Sequence, residues 1–208
     1  MQNKILVGKY IKLNLLFSLF NIPKLADMKK LLIALLSLVI LACLWLGYMG
    51  VFNKVEVQTG QEGGYELSGI FHHGSYANIS ETFEEMVGIA DSNGLEVYNM
   101  VSIYFNNPNQ VPEDSLMTFV GVVLRDSTEI EALTKEGLTR ITLPEGDAFY
   151  SDFKYRNKMS HAIGPIVNYP ALFEVSTEKG WDPVIGFEFF RRDYTRYVLL
   201  NGDVNDLR

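Results

Sequence analysis

From Leu31 to Asn53 the chain carries no charged residue, and Leu31 to Gly50 reads LLIALLSLVILACLWLGYMG. As a helix, about 20 residues rise roughly 30 Å, the thickness of a bilayer's hydrocarbon core. Trp45, Tyr48 and Phe52 gather at the far end, where interfacial rings tend to sit. A secretory signal usually has a shorter apolar region, about 7–15 residues, and ends at a small-residue cleavage site. Here the run passes Ala42-Cys43 without an Ala-x-Ala pattern. Ile40-Leu41-Ala42-Cys43 resembles a bacterial lipoprotein signal, but Leu41 fits that pattern poorly and Leu44-Trp45-Leu46 stays apolar. The expectation is an uncleaved anchor over residues 28–53, with Cys43 a small apolar packing residue inside it.

Flanking charge sets the direction. Lys29 and Lys30 abut the run on its N-terminal side, whereas Lys54 on the far side is followed by Glu56, Glu62 and Glu66. Positive residues stay cytoplasmic, so the N-terminus is expected inside and the rest of the chain across the membrane. In a bacterium that is a single-pass inner-membrane protein with a periplasmic C-terminal domain. Residues 1–27 form a basic, apolar extension without sustained periodicity, and Met28-Lys29-Lys30 would make a natural start of translation. Residues 1–50 hold six of the 18 basic residues and one acidic residue, leaving 12 basic against 24 acidic side chains in the remaining 158. Such a balance argues against binding a nucleic-acid backbone, which needs clustered Lys and Arg. One cysteine permits neither an intrachain disulfide framework nor a multi-cysteine metal site.

Residues 54–208 are expected to form one α+β domain. After a glycine-rich connector (Gly60, Gly63, Gly64), a strand-helix-strand-strand order occurs twice. The first round is Tyr65 to Tyr76, a helix with Ile79, Phe83, Met86, Val87 and Ala90 on one face, then strands Val97 to Phe105 and Leu116 to Leu124. Asn78 with Glu81 forms a loose capping box, and Asn93-Gly94 a C-terminal stop. The second round is Leu138 to Leu143, Asp147 to Tyr155, a helix around Ser160 to Thr177 interrupted by Pro165 and Pro170, and strands Val184 to Arg191 and Thr195 to Leu200. The duplicated modules are expected to form an antiparallel sheet with two helices on one face.

Alternation then suggests where a ligand would sit. Val101, Ile103 and Phe105 share a face, leaving Ser102 and Tyr104 on the other; Ile185, Phe187 and Phe189 share a face, leaving Gly186, Glu188 and Phe190. If the helices cover the more apolar face, Tyr104 and Glu188 project from the uncovered one toward the seam between repeats. A lone carboxylate among aromatic rings suits a lipophilic cation. The same pattern also fits a solvent-facing Glu188 paired with Arg191, Arg192 or Arg196, and the residues alone leave both readings open.

VEV at Val55 to Val57, FHHGSY at Phe71 to Tyr76, IYFNNPNQVPEDS at Ile103 to Ser115, VGVVL at Val120 to Leu124 and GFEFF at Gly186 to Phe190 follow one another in a characteristic order. Together they resemble the gyrase-inhibitory-protein-like (GyrI-like) small-molecule-binding domain, over roughly residues 55–201. A preceding membrane helix is similar to the layout of membrane-anchored animal members. The resemblance implies a duplicated strand-helix-strand-strand fold with a cleft between halves. It also implies a ligand-binding glutamate at Glu188 and an aromatic lining, for which Tyr104, Phe190 and Tyr76 are the candidates. Asn106-Asn107-Pro108 stands where bacterial members often have Asp-Asp-Pro.

The implied partners are an amphipathic or cationic small molecule and the membrane, with no cofactor, metal or nucleic acid. Adjacent His72 and His73 point to opposite strand faces and do not chelate one ion easily. No Gly-x-Ser-x-Gly elbow or glycine-rich phosphate loop is present. Two alternatives remain beside a binding module: a hydrolase using Glu188 as general base, and an interaction scaffold with a vestigial cleft. For the anchor, protease added to spheroplasts of a bacterial host should degrade the domain. Protection behind a sealed inner membrane would overturn the orientation, and a mature N-terminus at or beyond Cys43 would overturn the anchor.

Overall fold

A computed structural model describes residues 25–95, 97–108, 110–182 and 184–207; most of the basic extension therefore lies outside the described residues. The chain divides into two units that part between Phe52 and Asn53. In the first, helix α1 (Leu25–Tyr48) is a single continuous helix. Its Asp27–Tyr48 stretch has a mean hydropathy of 2.6 and none of it is buried, so length and composition suffice to cross a membrane. A signal sequence near an N-terminus satisfies the same criteria.

The second unit is α+β. In chain order it contains β1 (Gln58–Glu62), β2 (Tyr65–His73), α2 (Ile79–Ser92), β3 (Met100–Tyr104), β4 (Met117–Val123), α3 (Ser127–Lys135), β5 (Thr139–Leu143), β6 (Gly146–Lys154), α4 (Ser160–Glu178), β7 (Val184–Phe190) and β8 (Tyr194–Asn201). The strands make one sheet of order β1-β6-β8-β7-β3-β4-β2-β5, with every pairing antiparallel. The expected repeat is present as β2-α2-β3-β4 and β6-α4-β7-β8. Its two halves join where β3 pairs with β7.

Connectivity forces the sheet to curl. Only Gly63-Gly64 separates β1, at one edge, from β2, beside the other edge. Only Pro144-Glu145 separates β5 from β6, making the reciprocal crossing. The two connections pass so closely that a Cβ on Gly63 would lie 2.0 Å from the Pro144 carbonyl oxygen, at a φ of +93°. Glycine is therefore required there by both space and backbone conformation. Inside the curl, Leu67, Val101, Ile103, Phe119, Ile185, Phe187, Phe189, Val198 and Leu200 form the main core. Tyr65 of β2 meets Phe189 of β7 with ring centroids 5.4 Å apart, although two strands separate them in the sheet.

This arrangement corrects the expected placement of the helices. The apolar face of Val101, Ile103 and Phe105 is covered by the sheet's own curvature, and α2 and α4 pack on the opposite face, the one bearing Tyr104 and Glu188. On that side Met86 and Ala90 of α2 join Met100, Val120, Val122 and Leu133 in a second core. Ile163, Gly164, Asn168, Leu172 and Ser176 are the buried row of α4. Helix α4 runs unbroken through Pro165 and Pro170, because packing of that row outweighs the backbone hydrogen bonds the prolines forgo.

Two elements were not expected. The supposed connector contains β1, a polar edge strand, QTGQE. Helix α3 was missed although Asp126-Ser127-Thr128-Glu129 has capping-box spacing: Asp126 Oδ1 accepts the Glu129 N–H at 3.0 Å, and Glu129 accepts the Arg125 N–H at 2.7 Å. By contrast Asn78, the expected cap of α2, makes no side-chain capping bond; Ser75 Oγ accepts from Ala77 N one turn earlier. Met86→Ala should cost about 2–5 kcal/mol in denaturant unfolding, since Met86 is fully buried. A cost below about 1 kcal/mol would mean α2 is not seated on the sheet as described.

Candidate functional site

Helix α2 lies over β2 and β4, while α4 lies over β6 and β8, so the seam between the helices has β3 and β7 as its floor. Ser102 of β3 stands directly across from Glu188 of β7, and Tyr104 across from Gly186. On the other side Glu188 is paired with Tyr197 of β8. Three neighbouring strands thus place Ser102, Tyr104, Glu188 and Tyr197 on one face. The helices then add Phe83 from α2 and His161 and Tyr169 from α4.

The aromatic side chains on this face pack in two groups, one of tyrosines beside Glu188 and one around Phe190. Tyr104 meets Tyr76 edge to face at 5.1 Å and Tyr169 at 6.5 Å, while Tyr169 meets Tyr197 at 5.5 Å. Phe190 packs against Phe83 at 4.9 Å and His161 at 5.6 Å. Tyr76 is fixed by its hydroxyl, which donates to the Asn106 carbonyl at 2.7 Å. Of the four residues expected at the site from sequence, Glu188, Tyr104 and Tyr76 belong to the tyrosine group, whereas Phe190 shares their sheet face but packs with Phe83 and His161. Tyr197 and Tyr169 were missed. Alternation along β8 would have found Tyr197 once the β7–β8 hairpin was assumed, whereas the two prolines obscured the phase of α4 and with it Tyr169.

Glu188 is 3% exposed, and its Oε1 has no hydrogen-bond partner. The Tyr104 hydroxyl bonds to its carboxyl group. Burial pushes the Glu188 pKa up to about 8, with the Tyr104 bond pulling in the opposite direction. Tyr104 and Tyr169 are raised well above the ordinary tyrosine value, first by burial and then by the charge of Glu188; Tyr197 is raised for the same reasons in the same order.

None of the three arginines that could have neutralised Glu188 pairs with it. Arg191 donates to Asn99 Oδ1 at 2.9 Å and stacks over Phe189 at 3.6 Å. Arg192 lies over the Tyr98 ring, and Arg196 is shared between Glu62 at 2.7 Å and Asp152 at 2.8 Å. The surface reading of Glu188 is thereby overturned. Two open hollows of about 400 Å³ lie elsewhere, beside β5. Neither is lined by a buried carboxylate: the first has Glu66, engaged by Arg140 at 3.3 Å and Thr142 at 2.7 Å, and the exposed Asp206, while the second has no acidic residue.

No protein-family profile matches the sequence, and no curated protein matches it. Among solved structures, the chain is similar to the C-terminal domain of EcmrR, with a TM-score of 0.47 and 8% identity over 72% of this chain and 99% of that one. It is also similar to an integron cassette protein from the mobile metagenome of Vibrio cholerae, VCH_CASS2, with a TM-score of 0.39 and 12% identity over 69% of this chain and 94% of that one. Likenesses this distant leave the functional reading to the chemistry of the site.

A consequence for stability follows from Glu188 alone. Between its ordinary value of 4.5 and about 8, the folded domain keeps a proton that the unfolded chain has released. This contribution is therefore full below about pH 4.5 and declines as pH rises to about 8, by on the order of 4 kcal/mol. Glu188→Gln should remove that decline and raise Tm above the parent's at pH 9. A parent with no fall in stability across this window would show that the carboxyl is hydrated or paired.

Proposed function

We propose that residues 54–208 are a ligand-binding domain for amphipathic or lipophilic cations, tethered to a membrane by α1, with Glu188 as the electrostatic centre. The observation that carries this reading is the buried Glu188 carboxyl group, without a cationic partner among the described residues and beside the linked rings of Tyr76, Tyr104, Tyr169 and Tyr197. A carboxyl in such surroundings resists ionisation when alone, and a cation entering the seam supplies the charge that stabilises its anionic form. Aromatic rings around it add dispersion and quadrupole attraction. The sequence resemblance to GyrI-like domains, which places a ligand-binding glutamate at Glu188, agrees with this reading.

Glu188 in its sealed state requires that a ligand displace a covering side chain. The hydrolytic alternative draws on the same pKa, because a carboxylate near 8 is a serviceable general base near neutral pH. Turnover of a bound ester or amide would favour that alternative.

Cation binding should strengthen as pH rises toward about 8 and release close to one proton per ligand below that pH. The proton count can be read by titration calorimetry in buffers of different ionisation enthalpy. Glu188→Gln should weaken lipophilic cations by at least about tenfold, roughly 1.4 kcal/mol, while leaving neutral isosteres nearly unchanged. Equal cation affinity in parent and variant would remove the carboxylate from the site.

A further inference from the structure

Glu188 is not the only buried oxygen in the seam left without a partner. The hydroxyls of Tyr169 and Tyr197 are also buried without a well-formed hydrogen bond, alongside Glu188 Oε1, Tyr197 having only its strand neighbour Thr195 within reach. The three groups belong to one cluster: Tyr169 and Tyr197 touch each other, Tyr197 is the cross-strand neighbour of Glu188, and both phenols feel its charge. Leaving three such groups unsatisfied costs free energy that a polar ligand would recover. All three can accept a hydrogen bond.

The aromatic faces are less available than the oxygens. Tyr76 with Tyr104, Tyr104 with Tyr169, and Tyr169 with Tyr197 meet at interplanar angles of 68°, 88° and 81°, so each contact presses one ring's edge toward its neighbour. Space is also tight where α4 crosses the site, since a Cβ on Gly164 would stand 2.1 Å from the Tyr197 hydroxyl. A cation held by ring faces alone would need those contacts opened. Once a covering side chain has moved aside, a small cationic head that donates hydrogen bonds needs only the oxygens.

We propose that the site selects a primary or secondary ammonium group, whose N–H bonds are shared among Glu188 Oε1, Tyr169 Oη and Tyr197 Oη, over a quaternary ammonium of the same skeleton. This rests on the cation-binding reading above and narrows it to hydrogen-bond-donating amines. Other titratable groups nearby are Tyr104 and Tyr76, whose hydroxyls are already engaged by Glu188 and the Asn106 carbonyl, and His161 on α4, which packs against Phe190.

The test compares phenethylammonium with its N,N,N-trimethyl counterpart, by calorimetric titration of the full chain in a neutral detergent near pH 8. Phenethylammonium is expected to bind at least about tenfold tighter. Tyr169→Phe and Tyr197→Phe, each checked for an unchanged thermal transition, should weaken it about three- to tenfold and leave the quaternary ion unaffected. Equal or tighter binding of the quaternary ion, still dependent on Glu188, would overturn this inference and leave the cation-binding reading standing. If neither ion binds, both fall.

Discussion

The pairing of β3 with β7 is the constraint on which the rest of the site depends. It joins the two modules edge to edge in the middle of the sheet, between the strands on which α2 and α4 chiefly pack. Because antiparallel partners share a face, the register that sets Ser102 opposite Glu188 also sets Val101 opposite Phe189 and Ile103 opposite Phe187. One face of the junction is thereby fixed as hydrocarbon core and the other as a polar, aromatic seam. Slipping this register by one residue would exchange the faces and turn Glu188 into the core.

The same alternation sorts the charges. Arg196 lies between Thr195 and Tyr197 on β8, so it points away from the seam and finds Glu62 and Asp152 on the other side. Arg191 leaves the strand end and stacks on Phe189. Sequence distance made these arginines the obvious partners for Glu188, yet strand geometry separates them from it. The carboxyl is left with phenols only, and a phenol stabilises an anion far less than a guanidinium does.

Much of this was legible in the chain. The strand-helix-strand-strand order, the face of α2 and the placing of Glu188 and Tyr104 on one sheet face all follow from periodicity and from the resemblance. The side on which the helices lie did not, for a physical reason. Strands β3 and β7 are buried on both faces, so alternation separates two buried environments rather than core from solvent. The more apolar set was assigned to the helices, whereas the curl of the sheet claims it. That curl comes from β1, whose polar sequence gives almost no strand signal, and from its exchange of places with β5. Tyr169 was hidden because Pro165 and Pro170 suggested a broken helix, and only tertiary packing keeps α4 whole.

The exchange of β1 and β5 also bears on how the domain is assembled during synthesis. Strand β1 leads into the first module but has its pairing partner, β6, in the second; β5 leads into the second and pairs with β2 of the first. As the chain emerges from the ribosome, β1 waits without a neighbour until residues beyond 146 have been made. The modules are duplicated in outline but cannot mature one after the other, since each holds the other's lead strand. Loop-closure entropy must be met over most of the domain before either edge is sealed, which favours slow, all-or-none assembly. A severed first half would leave β1 unpaired and β2 and β3 as open edges, and be prone to join a second copy of itself rather than fold alone.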